Sequence, residues 1–203
     1  LKTKIVYPST LASVEDWYAY AQRINDGHTG PHLPRLRALA EGLPLAIEFG
    51  VRRGASSSAL ILGAQHVISY DITETPEARR LQALAGSRWT YYHGSSLEAP
   101  VQPCDLLFVD SLHTYLQCDA ELRRHADSVG RWLVFHDSIW RGTIGEGTKD
   151  QDHRLVRHDD DRIRRKALGI RPAVDALMIR DRSWQIAASY DDACGLLVLE
   201  RRQ

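Results

Sequence analysis

Two short runs carry the side chains best able to act together: FVDSLHTY, residues 108–115, and FHDS, residues 135–138. Each closes an apolar stretch. The first ends on Asp110 and adds His113; the second ends on His136, Asp137 and Ser138. If the two stretches are neighbouring strands, both aspartates stand at one edge of a sheet although 27 residues separate them. Two carboxylates with hydroxyl or carbonyl oxygens nearby are what a hard divalent cation such as Mg²⁺ requires; the alternative is that they orient a substrate or cap helices. An imidazole that titrates near neutral pH suits His113 to take a proton from a hydroxyl group. Its other reading is a helix-start histidine bonded to Asp110 or to a backbone carbonyl.

A third run, EFGVRRGASS at 48–57, turns on two glycines. Gly50 and Gly54 let the chain bend sharply after a strand and let a ligand approach the backbone. The spacing GxxxG is neither GxGxxG nor GxxxxGK[ST], and no lysine follows, so phosphate binding is not indicated. Arg52 and Arg53 face either a carboxylate or solvent. Asp71, 21 residues after Gly50, closes the next apolar run, where a carboxylate can accept hydrogen bonds from both hydroxyls of a ribose. The combination points to an adenosine-containing ligand; a tight strand-to-helix turn is the simpler account of the glycines alone.

These side chains need a scaffold of alternating strands and helices, and the periodicity supplies one. Apolar runs at 43–50, 66–72, 89–95, 104–111 and 131–138 read as strands, with helices at 56–64, 76–85 and 115–128 between them. Such alternation predicts a parallel sheet with helices on both faces and ligands beyond the carboxyl ends of the strands. A helix over 172–180 precedes strands at 184–190 and 196–202, joined by about five residues. That link is too short for a parallel crossover, so the pair forms an antiparallel hairpin.

Before the first strand, Ser13 caps a helix over 13–25 with Asp16 three positions on, and a second helix over 33–41 stops at Gly42. Residues 1–42 are therefore a helical appendage and 43–203 the ligand-binding domain. Trp17 and Tyr18 lie on the appendage's aromatic face, which is expected to pack over one face of the domain; with His28 and His32 they could instead contribute a lid, and an exposed aromatic helix also allows a homodimer. Trp140, Arg141 and Tyr115 are candidates to line an acceptor pocket. Residues 141–161 show no periodicity and read as a flap over the site or a spacer.

A chain of 203 residues with 43% hydrophobic content supports one well-buried core. Lysines and arginines equal aspartates and glutamates at 26 each, so no long-range field recruits nucleic acid or an anionic membrane. Cys104, Cys118 and Cys194 are odd in number, widely spaced and without a CxxC, so neither a disulfide framework nor a zinc knuckle is indicated and a reducing cytoplasm is expected. No basic start followed by an apolar run, and no membrane-length apolar stretch, supports export or membrane spanning. The chain opens on Leu1 rather than Met, so a short segment is expected to precede it.

The ordered set EFGVRRGAS, VISYDI, HGSS, CDLLFVDSLHTY, WLVFHDS and CGLLVLERR resembles the class I S-adenosylmethionine-dependent methyltransferases over about residues 43–201. Within them it is similar to the small-molecule O-methyltransferases, the catechol-type and bacterial sugar- and antibiotic-tailoring enzymes. The resemblance implies a Rossmann-like three-layer sandwich: a seven-stranded, mostly parallel sheet ending in an antiparallel hairpin. It implies that Glu48, Gly50 and Gly54 surround the methionine part of S-adenosylmethionine and that Asp71 meets the ribose. Ile72, Gly94 and Ser95 fall beside the adenine, and Asp110 borders the cofactor.

Asp110 and Asp137 match the family's cation ligands, Mg²⁺ or another divalent ion. The third ligand falls on Ser138, where catechol-type enzymes have asparagine, or on His136, where some tailoring enzymes have an acid; a nitrogen ligand suits a transition metal better than Mg²⁺. His113 stands where catechol-type enzymes place a lysine base. The implied reaction is methyl transfer to a hydroxyl of a sugar, phenol or natural product. A hydroxylase-type or N-methylating relative, or a non-catalytic cofactor-binding subunit, is the alternative.

Overall fold

Strand and helix alternate along the computed structural model, which describes residues 7–24, 28–147 and 159–202. Helix α1 (Val14–Ile24) starts at Ser13, whose Oγ accepts the Asp16 amide at 3.0 Å, while the Asp16 carboxylate turns back to accept the Ala12 amide at 3.1 Å. Helix α2 (Leu33–Ala40) follows. The domain then runs β1 (Leu45–Phe49), α3 (Ala55–Gly63), β2 (His66–Asp71), α4 (Pro76–Ala85), β3 (Trp89–His93), β4 (Cys104–Val109), α5 (Tyr115–His125) and β5 (Val129–His136). It closes with α6 (Asp161–Ala167), α7 (Arg171–Arg180), β6 (Trp184–Tyr190) and β7 (Leu196–Arg201).

The sheet order is β3-β2-β1-β4-β5-β7-β6, with β7 antiparallel to both β5 and β6 and all other pairs parallel. This is the expected Rossmann-like, seven-stranded sandwich. On one face α1, α2, α3 and α4 bury Trp17, Leu33, Leu36, Leu60 and Leu81; on the other α5 and α7 bury Leu122, Val174 and Leu177. β1 and β4 are central, and their alternate residues go to opposite layers, which is why both read as continuous apolar runs.

The expected element order holds, with two differences. α6 begins where the stretch without periodicity ends, and its N-terminus is capped by the Asp160 carboxylate accepting the Arg162 amide. Residues 141–147, expected as the start of a flap, are tied down: Ile144 bridges Leu168, and Gly145 N donates to Ala167 O. Most of the remainder of that stretch lies outside the described residues. Among the described residues no helix is long and apolar enough to cross a membrane.

The turn after β1 is set by how closely β4 passes it. Gly50 has φ +92°, and a Cβ on it would lie 2.0 Å from the Asp110 carbonyl oxygen. Gly54, φ +78°, would bring a Cβ to 2.4 Å from the Leu81 side chain. The glycines therefore admit the protein's own neighbours, a reason for them besides the one expected. Gly50→Ala combines a backbone clash with left-handed strain and is expected to lower unfolding free energy by about 3 kcal/mol or more. Gly42→Ala, with φ +73° and nothing within 4 Å of the added carbon, should cost only about 1–2 kcal/mol. Urea denaturation of both variants checks the contrast; equal losses would mean that the approach of β4 is not what constrains the turn.

Candidate functional site

The carboxyl ends of β1, β2, β4 and β5 open into one cleft of about 1040 Å³, at the upper end of the size of small-molecule sites. Gly50 to Arg53, Ala55, Ser56 and Asp71 line one part, and Asp110, His113, His136, Asp137 and Glu146 the other.

At the first part Asp71 points into the turn. Its Oδ2 accepts the amides of Val51 and Arg52 at 2.8 and 2.7 Å, and its Oδ1 accepts the Thr73 amide at 2.7 Å. A carboxylate has about four acceptor positions, so one remains, on Oδ1. Asp71 can meet one ribose hydroxyl rather than the two expected. Arg52 holds φ +52° in this clamp.

At the second part four side chains converge. Asp110, His113, His136 and Asp137 each present one ligating atom, and these all lie within 4.8 Å of one another. His113 Nε2 is 3.0 Å from Asp110 Oδ1 and 3.4 Å from Asp137 Oδ2. His136 Nδ1 is 3.2 Å from Asp110 Oδ1 and 3.5 Å from Asp137 Oδ1. Parallel pairing of β4 with β5 puts Val109 opposite Phe135, so the residues following each strand meet. Asp137 turns into the cluster by taking φ +55°, an uncommon state for a non-glycine residue that functional sites often hold.

Burial by itself would raise the Asp110 carboxyl, but His136 and His113 hold it well below the usual carboxylate range. Burial lowers His113, yet Asp110, Asp137 and Glu146 outweigh it and bring that imidazole up to about 9. His136 is raised by the same two aspartates against burial.

The other predicted residues sit elsewhere. Ser138 is buried and does not line the cleft, and its Oγ has no hydrogen-bond partner. Gly94 and Ser95 line a separate pocket of about 290 Å³ beside Tyr70 and Tyr92. Ile72 is 73% exposed at the sheet edge. Trp140 and Arg141 do line the cleft, as do Tyr7, Ile24, His28 and Thr29 from the N-terminal appendage. Trp17 is fully buried and donates its Nε1 hydrogen to Arg53 O at 3.2 Å; the appendage packs on the domain, and Trp17 offers no free face to a second copy.

Solved structures share this architecture. An O-methyltransferase from Bacillus cereus in complex with S-adenosylhomocysteine superposes with a TM-score of 0.64 at 15% identity, covering 98% of this chain and 94% of that one. A 1,6-didemethyltoxoflavin N1-methyltransferase from Burkholderia thailandensis gives 0.60 at 14%, covering 100% and 94%. The N-methyltransferase NodS from Bradyrhizobium japonicum with S-adenosylhomocysteine gives 0.59 at 14%, covering 92% and 99%. No family model and no curated protein sequence matches the chain. The fold is that of the class I methyltransferases.

In this methyltransferase fold the acid on β1 acts from behind the turn. Glu48 has no exposure, which corrects its expected place against the cofactor. Its carboxylate accepts the hydroxyls of Ser56, Ser57 and Ser69, each at 2.6 Å, and so ties β1 to the start of α3 and to β2. Trp89 Nε1 donates to Ser69 Oγ at 2.8 Å, which leaves the serine proton free for Glu48.

Two residues near the cleft, Glu146 and Glu121, were not picked out as site groups, and a third, His32, was read only as packing or lid. Glu146 lies in the region without periodicity and reaches His113 Nδ1 at 3.2 Å. Glu121, fully buried on α5, accepts Ser96 Oγ at 2.5 Å, Ser111 Oγ at 2.7 Å and Gln117 Nε2 at 2.9 Å, so it braces the loop after β4. Its signal was an acid on the apolar stripe Cys118, Glu121, Leu122, His125. His32, expected to be packing or lid, is fully buried with its ring 5.4 Å from that of His136; burial and His136 lower it to about 4.

Burial raises Glu48 to about 7 despite the three serine hydroxyls. Because the folded value lies above the unfolded one, the stability this group contributes is present in full below about 4.5 and is lost as pH rises through about 7. Glu48→Gln removes that titration. Its stability relative to the parent chain should improve by on the order of 1–3 kcal/mol between pH 5 and about 8.5, read from denaturation midpoints at each pH; a difference that does not change with pH would contradict it.

Proposed function

We propose that the chain is an S-adenosylmethionine-dependent methyltransferase that acts on a hydroxyl group of a small molecule with the help of a divalent cation. The observation that carries this is the joining, in one cleft, of the Asp71-clamped turn and the Asp110–His136–Asp137 cluster. The solved structures support the cofactor, since all three were determined with S-adenosylhomocysteine; they include both O- and N-methyltransferases, so the acceptor atom is read from the cluster.

The turn fits the cofactor. Asp71 retains one acceptor position for a ribose hydroxyl, and Arg52 and Arg53 line the cleft as cations for the methionine carboxylate. S-adenosylmethionine supplies an electrophilic methyl group: the carbon–sulfur bond breaks as a carbon–oxygen bond forms, the sulfonium becomes a thioether, and the hydroxyl gives up its proton. The protein aligns the two reactants end to end, which removes much of the entropic barrier.

The cluster fits a cation. Asp137 Oδ1 is buried without a hydrogen-bond partner and faces His136 Nδ1 across the cluster. A divalent ion at Asp110 and Asp137 would supply the Lewis acidity that makes a neighbouring hydroxyl more acidic. The basic groups that line the cleft and could take the departing proton include His113 and Glu146. Trp140, half exposed, and Arg141 offer an aromatic face and a cation to the acceptor.

Two substitutions separate the halves of the cleft. Asp71→Ala releases three amides and should weaken S-adenosylmethionine binding by about 10-fold or more, measured by calorimetry. Asp137→Ala should leave that affinity within about 2-fold while turnover of a hydroxylated acceptor, followed by mass spectrometry of the O-methyl product, falls about 100-fold or more. The reverse pattern would show that the two halves have been exchanged, and a methylated nitrogen in the product would exclude the hydroxyl acceptor.

A further inference from the structure

The position of His113 goes further than the role expected for it. Nδ1 lies 3.2 Å from Glu146 Oε2, and Nε2 lies 3.0 Å from Asp110 Oδ1 and 3.4 Å from Asp137 Oδ2. Both ring nitrogens are engaged, one by a carboxylate behind it and one at the centre of the cluster. With Nδ1–H donated to Glu146 and a cation in place of the Nε2 proton, the Nε2 lone pair points at the place where the two aspartates converge. A proton acceptor would aim that lone pair at the substrate; a ligand aims it here. A carboxylate behind an imidazole is also the arrangement that fixes the tautomer and orientation of metal-binding histidines.

Resting on the cation reading above, we propose that His113 is a ligand rather than the base, and that the site is a two-histidine, two-aspartate centre for a first-row transition ion in preference to Mg²⁺. His136 supplies the second nitrogen through Nδ1, and Asp137 Oδ1, itself without a hydrogen-bond partner on a residue 8% exposed, lies 3.5 Å from that nitrogen. Mg²⁺ favours oxygen ligands and retains its waters, whereas imidazole nitrogen favours the later first-row ions. Glu146 is then a positioning residue that acts through His113. It is also a basic group of the cleft outside the ligand set.

The test is binding of Co²⁺ to the metal-stripped full chain, read by visible absorption and by competition with Mg²⁺. One Co²⁺ per chain, with ligand-field bands that persist in about 100-fold excess Mg²⁺, is expected. His113→Ala should shift the bands and weaken binding at least 10-fold, and Glu146→Gln should weaken it about 10–100-fold with the melting temperature and S-adenosylmethionine affinity unchanged. Glu146 is half exposed, so its replacement tests the idea even if the alanine variant fails to fold. Displacement by an equal concentration of Mg²⁺, or parental binding by Glu146→Gln and His113→Ala, would overturn the proposal yet leave a cation at the aspartates. Failure of the parent chain to bind Co²⁺ or Mg²⁺ while it still binds S-adenosylmethionine would remove the cation reading as well.

Discussion

The close passage of β4 over the turn after β1 is the constraint from which the site follows. Phe49 O accepts the Asp110 amide at 2.8 Å, and the Asp110 carbonyl lies where any side chain at residue 50 would have to be. This contact places the Asp110 carboxylate at the edge shared by the cofactor turn and the end of β5. Asp71 completes the arrangement by gathering the amides of Val51 and Arg52 from the next strand. The turn is thus held on one side by a backbone contact and on the other by a carboxylate, a combination that leaves it little freedom to collapse into the cleft.

Buried acids surround the site, and their partners decide what each does. Glu48 is enclosed and accepts only neutral hydroxyls, so burial wins and its carboxyl rises. Glu121 behaves alike, raised by burial against Ser96, Ser111 and Gln117. Asp110 is partly buried, its side chain 21% exposed, and has two imidazoles beside it, whose attraction outweighs the burial. The opposite outcomes reflect the competition between desolvation and nearby charge. Glu48 and Glu121 stiffen the loops from behind; Asp110 stays ionised and faces the cleft.

The N-terminal appendage belongs to the site as well as to the packing. Tyr7, Ile24, His28 and Thr29 border the cleft, and His32 stands against His136. Arg35 links this segment to the β6–β7 hairpin through Asp192 at 2.7 Å, with its guanidinium 4.0 Å over the Tyr190 ring. A boundary at residue 42 marks where the sheet begins, while the walls of the cleft cross it.

Much of this was legible in the sequence, for reasons that differ by level. Period and turn length determine the element order and the antiparallel hairpin, because a strand buried on both faces is a run of apolar residues and a short link excludes a crossover. The strand-end acids follow, since a carboxylate closing an apolar run has few places to go but the sheet edge. What each acid touches was decided by the tertiary structure. Glu48 and Asp110 both stand at strand ends, yet one faces three serines and the other two histidines, and only the packing of α3 against β2 and of β5 beside β4 separates them. Glu146 has no periodicity to mark it, and His113 reads as base or ligand until its two nitrogens are seen to face different carboxylates. The direction of a lone pair depends on neighbours that are distant in the chain, and no local pattern of residues encodes it.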